Sequence, residues 1–240
     1  MPRLTLVLLL LAAGCDRLAV VVPPADDSAI PELRRERYRE AASRLAAREL
    51  PPDAGPELPA ALVESFYARL VLVDNAHELP ARDTVVEVYA IAPLRPAVRS
   101  LAVGVDRDAG WIDAWRGGQP LTGLAPVDEL VRRFGITVDR CYAFASVEYT
   151  SCALTTDRPV FVPGLARLFA PLDRVRYAEP NGLVGDGNDL AATREADAVV
   201  LAYSVGSGDC PAGCLHRRFW RFRVFDDGRV AYLGVDGTPP

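Results

Sequence analysis

Four of the five cysteines are placed for disulfide chemistry. Cys210 and Cys214 are separated by Pro, Ala and Gly, and they can close a small ring at the end of a hairpin. Cys141 and Cys152 would lie opposite each other if the chain reverses near Ser146-Val147. These two bridges are the favoured pairing, although four cysteines allow three connectivities and all three stay open at this point.

A metal site is the alternative chemistry for the same part of the chain. Cys210, Cys214 and His216 could bind zinc, with His77 as a fourth ligand, but their spacing matches no standard zinc motif. The segment Gly185–Leu190 resembles half of a calcium-binding nonapeptide unit, and such sites are built between stacked copies. We therefore expect no metal cofactor. The candidate ligands for a metal-dependent alternative are Asp186, Asp189, His216, Glu179 and Asp209.

The sequence contains no recognisable catalytic motif. His77 and His216 are its two imidazole bases, and Ser204 and Ser207 lie in a segment without the G-x-S-x-G spacing of a nucleophile elbow. No phosphate loop or dinucleotide fingerprint follows a strand. A pair of carboxylates that meet only in the folded chain stays open, since such partners need not be close in sequence. We expect a protein that is not an enzyme.

The fifth cysteine ends a segment with the features of an export signal. Arg3 precedes an apolar run, Leu4–Ala13, that is too short for a permanent membrane span. Ala12-Ala13-Gly14-Cys15 resembles the lipobox of bacterial lipoproteins, which implies a signal peptide over residues 1–14 and acylation of Cys15, palmitate being a typical chain. The lipid would hold the protein on the inner or outer membrane of the cell envelope. The alternative is an ordinary secretory peptide cut near Gly14, which leaves Cys15 as a thiol.

Composition limits the classes of partner. The formal net charge is -5, and the 27 basic residues are all arginines. A net negative charge disfavours broad binding to nucleic acid. Export would also make nucleic acid a poor partner. We therefore expect the membrane as a partner through the lipid anchor, an envelope protein or polymer as a second partner, and no nucleic acid.

The chain divides into four predicted segments, of which residues 1–14 are the first. Residues 15–30, with Pro23-Pro24, predict a tether. Residues 31–59 predict an amphipathic helix as far as Leu50 and a Pro-rich linker. That helix is either a solvated helix laid on the domain or a surface for a partner or membrane. Residues 60–240 predict a single globular α+β domain that begins with a helix from Ala60 to Val73.

The middle of this domain predicts a ferredoxin-like sheet. From Leu101 onward, apolar runs and helical patterns alternate in the order β-α-β-β-α-β, the split βαβ arrangement of an α+β fold. A further strand is predicted ahead of it, at Thr84–Ile91. The predicted strands of the sheet are Leu101–Val105, Ile136–Phe144, Val147–Leu154 and Arg174–Ala178, and the predicted helices are Val127–Phe134 and Val162–Phe169.

The C-terminal part, residues 196–235, predicts an antiparallel β-meander. Its strands are Ala196–Val205, His216–Phe225 and Arg229–Val235, and Asp227-Gly228 suits the second turn. Alternation along the middle strand places Trp220, Phe222 and Val224 in the core. The opposite set is either a solvated face or an Arg-aromatic surface for an anionic polymer or lipid headgroup. That set is Arg217, Phe219, Arg221 and Arg223.

Two family resemblances follow from these segments. The region from Asp128 to Asn181 ends in a V-x-Y-x-E-P stretch and is similar to the propeptide and inhibitor domains of subtilisin-like proteases, which share the predicted topology. Those domains leave a C-terminal tail in a protease, whereas this chain continues. Gly208–Cys214, Ala178–Gly182 and Gly185–Asn188 resemble an uncharacterised family of bacterial exported proteins and lipoproteins, which implies location and fold but no chemistry.

The expected function combines these observations. We expect a membrane-anchored bacterial lipoprotein that acts as a non-catalytic interaction or structural module of the cell envelope. The first alternative is a module similar to protease inhibitors and propeptides. The second is a metal-dependent binding module.

Overall fold

Two four-stranded antiparallel sheets, each with its own layer of helices, make up the described chain. The computed structural model describes residues 25–143, 146–182 and 184–239. The helices are α1 (Glu32–Arg48), α2 (Ala60–Asn75), α3 (Ile112–Arg116), α4 (Ala125–Phe134) and α5 (Val162–Phe169). The strands are β1 (Ser100–Asp106), β2 (Thr137–Ala143), β3 (Tyr149–Thr155), β4 (Val175–Pro180), β5 (Asp189–Arg194), β6 (Ala198–Ser207), β7 (His216–Phe225) and β8 (Val230–Gly237).

The first sheet, called sheet A, has the strand order β2-β3-β1-β4. All its pairings are antiparallel, and α4 and α5 follow β1 and β3 along the chain. This is the split βαβ order, so the predicted α+β fold and its ferredoxin-like part are confirmed. The two helices and the short α3 pack on one face of the sheet around a core that includes Leu101, Val103, Leu154 and Phe169.

Local sequence explains where α4 begins and ends. The Asp128 carboxylate accepts hydrogen bonds from the backbone N–H groups of Thr122 and Gly123 at 2.6 and 3.1 Å, directly before the helix. These bonds, chiefly the one from Thr122, lower the pKa of Asp128. Gly135 ends the helix with a φ of 54°, the left-handed conformation that glycine adopts at low cost. The helix is therefore two residues longer at its N-terminal end than the predicted Val127–Phe134.

The second sheet, called sheet B, has the strand order β5-β6-β7-β8. The predicted meander is present as β6, β7 and β8, and Gly228 has a positive φ of 90° in the turn between the last two. Trp220, Phe222 and Val224 lie in the core as predicted. The strand β5 is not among the predicted strands, and its first residues belong to the segment that resembles a calcium-binding unit. It pairs with β6 along its whole length.

Helices α1 and α2 cover the inner face of sheet B. Phe66 and Leu70 of α2 lie in the same buried cluster as Leu201 of β6 and Phe222 of β7. Leu45 of α1 is also part of this cluster, so α1 belongs to the globular body and does not merely lie on it. The apolar stripe of α1 therefore packs into the protein's own core.

The chain already contacts this body before α1 begins. Ile30 is buried in the core of sheet B and its helices. The Tyr67 hydroxyl donates a hydrogen bond to the Asp27 carboxylate at 2.5 Å, and the Asn75 amide donates to the Asp26 carbonyl at 2.7 Å. Residues 25–30, predicted as the end of the tether, are thus fixed against α2.

The predicted strand at Thr84–Ile91 is wrong, because this segment contains a π-helical turn, Thr84–Val88. Val85 and Val86 are both buried, whereas adjacent residues of a strand would point to opposite faces. The Tyr89 N–H donates to the Thr84 carbonyl at 3.0 Å and closes the turn. The β-branched residues favour a strand by propensity, but tertiary packing overrides this preference.

A buried ionic cluster joins this turn to α1 and α2. Asp74 accepts hydrogen bonds from the Tyr38 hydroxyl at 2.7 Å, from Arg34 at 3.3 Å and from Arg82. Asp74 and Arg82 have 2% and 4% of their surface exposed. Arg34 and Arg82 also bind Glu87 of the π-helical turn, and the bond from Arg34 is the main reason that the pKa of Glu87 is lowered. The cluster therefore fixes the turn against both helices.

Candidate functional site

The outer face of sheet A carries a row of paired residues that crosses all four strands. Tyr142 of β2 pairs with Ser151 of β3, Ser151 pairs with Gly104 of β1, and Gly104 pairs with Tyr177 of β4. A Cβ atom at Gly104 would overlap the Tyr177 ring, so the missing side chain makes room for that ring. The Tyr177 hydroxyl reaches across β1 and donates to the Ser151 hydroxyl at 2.6 Å. The ring therefore lies across the sheet.

A second ring stands against the first. Tyr149 of β3 and Tyr177 have ring centroids 5.5 Å apart and planes at 86°, an edge-to-face contact. The two rings form a corner on the outer face, which we call the tyrosine corner. Tyr142, 44% exposed, lies on the same face with the Arg140 guanidinium 5.4 Å from its ring centroid. None of the described helices packs on this face, since α3, α4 and α5 belong to the core on the other side.

A charged cleft of about 590 Å³ opens at one end of this face. The C-terminal end of β1 and the N-terminal ends of β3 and β4 meet here, because β1 is antiparallel to both neighbours. The cleft is lined by Asp106, Arg107, Asp108, Ser146, Val147, Glu148, Arg174 and Arg176. Its volume lies within the roughly 300–1,000 Å³ that is usual for sites of small molecules.

Asp106 organises the arginines of the cleft. Its side chain is buried, and its carboxylate accepts a hydrogen bond from Arg176 Nε. This bond is the main reason that the pKa of Arg176 is raised. Arg174 Nη1 lies 3.7 Å from the same carboxylate and 3.5 Å from that of Asp108. Arg174 has a φ of 64°, a conformation that side chains rarely adopt, and its carbonyl accepts the Asp106 N–H at 2.9 Å.

Both predicted disulfides are present. Cys141 is bonded to Cys152 across β2 and β3, with Cα atoms 4.0 Å apart, and Cys210 is bonded to Cys214 with Cα atoms 3.9 Å apart. The first bridge links directly paired residues and contributes the buried Cys152 to the core of sheet A. The second closes only the loop between β6 and β7. This is the pairing that the sequence favoured among the three possible ones.

Asp186, a candidate metal ligand, holds the loop of the second disulfide. Its carboxylate accepts hydrogen bonds from Arg217 Nη2 at 2.5 Å, the Gly187 N–H at 2.8 Å and the Cys214 N–H at 3.2 Å. Its own N–H donates to the Cys210 carbonyl at 2.7 Å. These bonds, led by the one from Arg217, lower the pKa of Asp186 to about 2. The carboxylate thus stabilises a loop by ordinary hydrogen bonds.

The other candidate ligands do not converge. Asp189 accepts hydrogen bonds from Arg48 Nη2 at 2.8 Å and the Leu94 N–H at 2.7 Å, which ties β5 to α1. His216, Glu179 and Asp209 are exposed. Within residues 25–143, 146–182 and 184–239, no three His, Cys, Asp or Glu side chains come together as a metal site.

The Arg-aromatic face of β7 is an outer face with its charges paired. Arg217 binds Asp186, Arg221 binds Asp236, and Arg223 Nε lies 2.8 Å from Glu195. The Arg221 guanidinium also lies 5.1 Å from the Phe219 ring centroid. Each arginine therefore has an acidic partner within the protein, which favours the solvated-face interpretation over a surface for an anionic polymer.

The serines and histidines considered as nucleophiles and bases do not line the cleft. Ser204 is 3% exposed, and its hydroxyl donates to the Asp189 carbonyl at 3.0 Å while accepting from Arg217 Nη1 at 2.8 Å. Ser207 of β6 pairs with His216 of β7 at the end of sheet B. His77 follows α2 and is exposed.

The connection from β4 to β5 differs from the end of a protease propeptide, which is a free tail. After β4, Asn181 donates its backbone N–H to the Ser100 carbonyl at 2.9 Å and its side-chain amide to the Ser100 hydroxyl at 3.0 Å. The chain then continues into β5. The stretch that would be a free tail in those domains is here an internal connection.

The tyrosine corner and the charged cleft were not predicted from the sequence. The predicted topology nevertheless implied the cleft. A strand order with β1 between β3 and β4 brings Asp106, Glu148 and Arg176 to the same end of the sheet. The position of the tyrosine rings could not be predicted from strand order alone, because the contact of Tyr177 with Gly104 also depends on the register of the strands. Register was not predictable to one residue from the strand patterns.

Cys15 and the predicted signal peptide, residues 1–14, lie outside the described residues. In the part of the chain that the structure describes, no helix has the length and apolarity for a membrane span. No family model, curated protein or solved structure matches this chain. The membership of an exported-protein family, predicted from Gly208–Cys214 and Ala178–Gly182, stays a prediction.

Proposed function

We propose that this chain is a lipoprotein of the bacterial cell envelope, acylated at Cys15, that acts as a non-catalytic interaction module through the outer face of sheet A. The observation that carries the proposal is the tyrosine corner on a face without a covering helix among the described residues. Tyrosine is enriched at binding surfaces because its ring gives apolar contact and its hydroxyl a hydrogen bond. Tyr149 and Tyr177 are also preorganised by their contacts with each other and with Ser151.

The two disulfides support the location of the module. Disulfides persist in oxidising compartments outside the cytosol. Four of the five cysteines are consumed by the two bridges, which leaves Cys15 unpaired and consistent with a lipid attachment site. The sequence then assigns a role to every cysteine.

Photo-crosslinking tests the surface. We would place a photoreactive amino acid at Ala153, which lies on the outer face of sheet A, and at Ala202, which lies on the outer face of sheet B. Full-length protein in the native membrane should give a discrete cross-linked product from position 153, and Tyr149→Ala should remove it. Equal products from both positions, or none from position 153, would refute the proposed surface.

Intact mass of the membrane-extracted protein tests the anchor. An acylated N-terminal Cys15, with four cysteines that react with alkylating agent only after reduction, is the expected result. An unmodified Cys15 would reject the lipoprotein part of the proposal.

A role similar to that of protease inhibitors is the second proposal, and the split βαβ order of sheet A is the observation that favours it. Asn181 is tied to Ser100, so inhibition by insertion of a tail after β4 would require these bonds to break. Titration of the full chain against a panel of subtilisin-type proteases tests this role. Unchanged protease activity across the panel would eliminate it.

A further inference from the structure

We infer that the charged cleft beside the tyrosine corner is a binding site for a neutral saccharide. The inference rests on the proposed function, since it assigns a ligand class to one end of the same face. Asp106 in the cleft pairs with Tyr149 of the corner, and directly paired residues of antiparallel strands point to the same side of a sheet. Cleft and corner therefore form one continuous surface.

The charges of the cleft balance. Arg107, Arg174 and Arg176 face an equal number of acidic residues, which are Asp106, Asp108 and Glu148. A site for a phosphate or a carboxylate would have an excess of positive charge, and a site for a cation would have an excess of acid. A balanced cleft is suited to a ligand that has no net charge but many polar groups.

The same residues present both donors and acceptors. Arg176 Nε is engaged by Asp106, while its two terminal amino groups have no hydrogen-bond partner among the described residues. The Glu148 carboxylate likewise accepts no hydrogen bond within the described part of the chain. A sugar hydroxyl both donates and accepts, so Arg176 and Glu148 together can bind neighbouring hydroxyls of one ring.

Burial of Asp106 makes this arrangement rigid. The residue is 8% exposed, and it fixes the orientation of Arg176 and attracts Arg174. Side chains held in place before binding lose less conformational entropy when the ligand arrives. The left-handed backbone of Arg174 is consistent with a requirement for this side chain at a position where glycine would be less strained.

The tyrosine corner supplies the apolar contact. A pyranose ring has a face of C–H groups that packs on the negatively polarised face of an aromatic ring. Tyr149 and Tyr177 are perpendicular, so one ring can lie beneath a sugar while the other forms a side wall. The charged cleft then lies where the hydroxyl edge of that sugar would be.

Calorimetry with defined tetrasaccharides tests the inference. Full-length protein in a detergent without sugar headgroups would be titrated with maltotetraose, cellotetraose and chitotetraose, and with the anionic tetragalacturonate. We expect at least one neutral tetrasaccharide to bind with a dissociation constant of about 1 mM or lower and to exceed tetragalacturonate. Tyr149→Ala and Glu148→Ala should each weaken binding by about tenfold, a loss of about 1.4 kcal/mol.

Two further variants separate binding from folding. Tyr149→Phe keeps the ring and should bind within about twofold of the unchanged protein, which would show that the ring, and not the hydroxyl, supplies the contact. Phe219→Ala, on the outer face of sheet B, is the matched control and should not change affinity. Circular dichroism of each variant would verify that the sheets are intact.

The inference is overturned if no neutral tetrasaccharide binds, if tetragalacturonate binds more tightly, or if Glu148→Ala leaves affinity unchanged. Such a failure is distinguishable from failure of the proposed function. Cross-linking from position 153 together with negative calorimetry would retain the interaction surface and reject the saccharide. Saccharide binding without cross-linking or acylation would retain the site and reject the envelope role.

Discussion

Sheet A is covered by helices that lie between its own strands, whereas sheet B is covered by helices far away in sequence. α4 and α5 directly follow β1 and β3, but α2 ends at Asn75 and β5 begins only at Asp189. The whole of sheet A is therefore inserted between the helices and the strands of the other half. Sheet A and its helices are formed by elements that follow one another in sequence. Sheet B and its helices are brought together by contacts between distant segments.

The two outer faces also differ. On the outer face of sheet B, Arg217, Arg221 and Arg223 of β7 are each paired with a carboxylate. On sheet A the corresponding face carries Tyr149 and Tyr177, with a charged cleft at one end. An ion-paired face stays in contact with water at little cost in free energy. Covering a face of aromatic rings with a ligand is favourable, because it removes apolar surface from water. Chemistry, and not exposure alone, distinguishes the two faces.

The largest expected effect concerns sheet B and its helices. Asp74→Ala should destabilise the protein by about 3–5 kcal/mol, because it removes the buried carboxylate that both Arg82 and the Tyr38 hydroxyl bind. Chemical denaturation followed by tryptophan fluorescence would measure the loss. Asp83→Ala, which removes an exposed partner of the same arginine, is the control and should cost less than about 1 kcal/mol. Similar losses for both variants would show that the buried Asp74 contributes no more to stability than the exposed Asp83.

The next effect compares the disulfides of the two halves. Cys141 and Cys152 are separated by 11 positions and Cys210 and Cys214 by 4. Chain entropy gives about 3 kcal/mol for the first bridge and about 2 kcal/mol for the second. Paired Cys→Ser variants of each bridge, unfolded in denaturant, would measure both values. A larger loss for the loop bridge would reverse the expected order.

Gly104→Ala tests the outer face of sheet A. The added Cβ would displace the Tyr177 ring and its hydrogen bond to Ser151, and we expect a loss of about 1–3 kcal/mol. Thermal unfolding would report it, with a change in the near-ultraviolet signal of the tyrosines. Gly110→Ala has open space around it and should leave the melting temperature nearly unchanged. If both variants melt alike, the ring does not depend on Gly104.

The smallest effect is a pH dependence in sheet B. The folded protein lowers the pKa of Asp186 from 3.8 to about 2, so the folded state binds this proton more weakly than the unfolded state. The resulting stability is fully present above about pH 4 and is lost as the pH falls toward 2. Asp186→Asn should therefore flatten the fall in melting temperature over this range. Asp209→Asn, in the same loop, serves as control, and an equal flattening there would contradict the assignment.

Sheet A was largely predictable because its elements alternate along the chain. The helix Val162–Phe169 was predicted to the residue, and the patterns of β1, β2, β3 and β4 placed each strand within a few residues. Cys141 and Cys152 were predicted opposite each other from the hairpin alone, and they are paired in β2 and β3. Each of these features depends on residues that are close in sequence.

Features that depend on distant residues were not predictable. β5 begins in a polar segment, and its pairing with β6 makes it a strand. Thr84–Val88 has β-branched residues, but the ionic cluster with Arg34 and Asp74 fixes it as a helical turn. α1 has modest apolarity, yet it lies in the core. The cleft likewise joins groups at the ends of three separate strands.

The sequence by itself determined the disulfide pairs as the favoured connectivity, the α+β class and the alternation that puts Trp220 in the core. These are properties of composition and of local periodicity, which act over a few residues. The tertiary structure alone decided which faces are covered, which carboxylates meet arginines and where Tyr177 lies. The reason is physical: burial and ion pairing depend on the distance between side chains in space, and register over the whole sheet sets that distance.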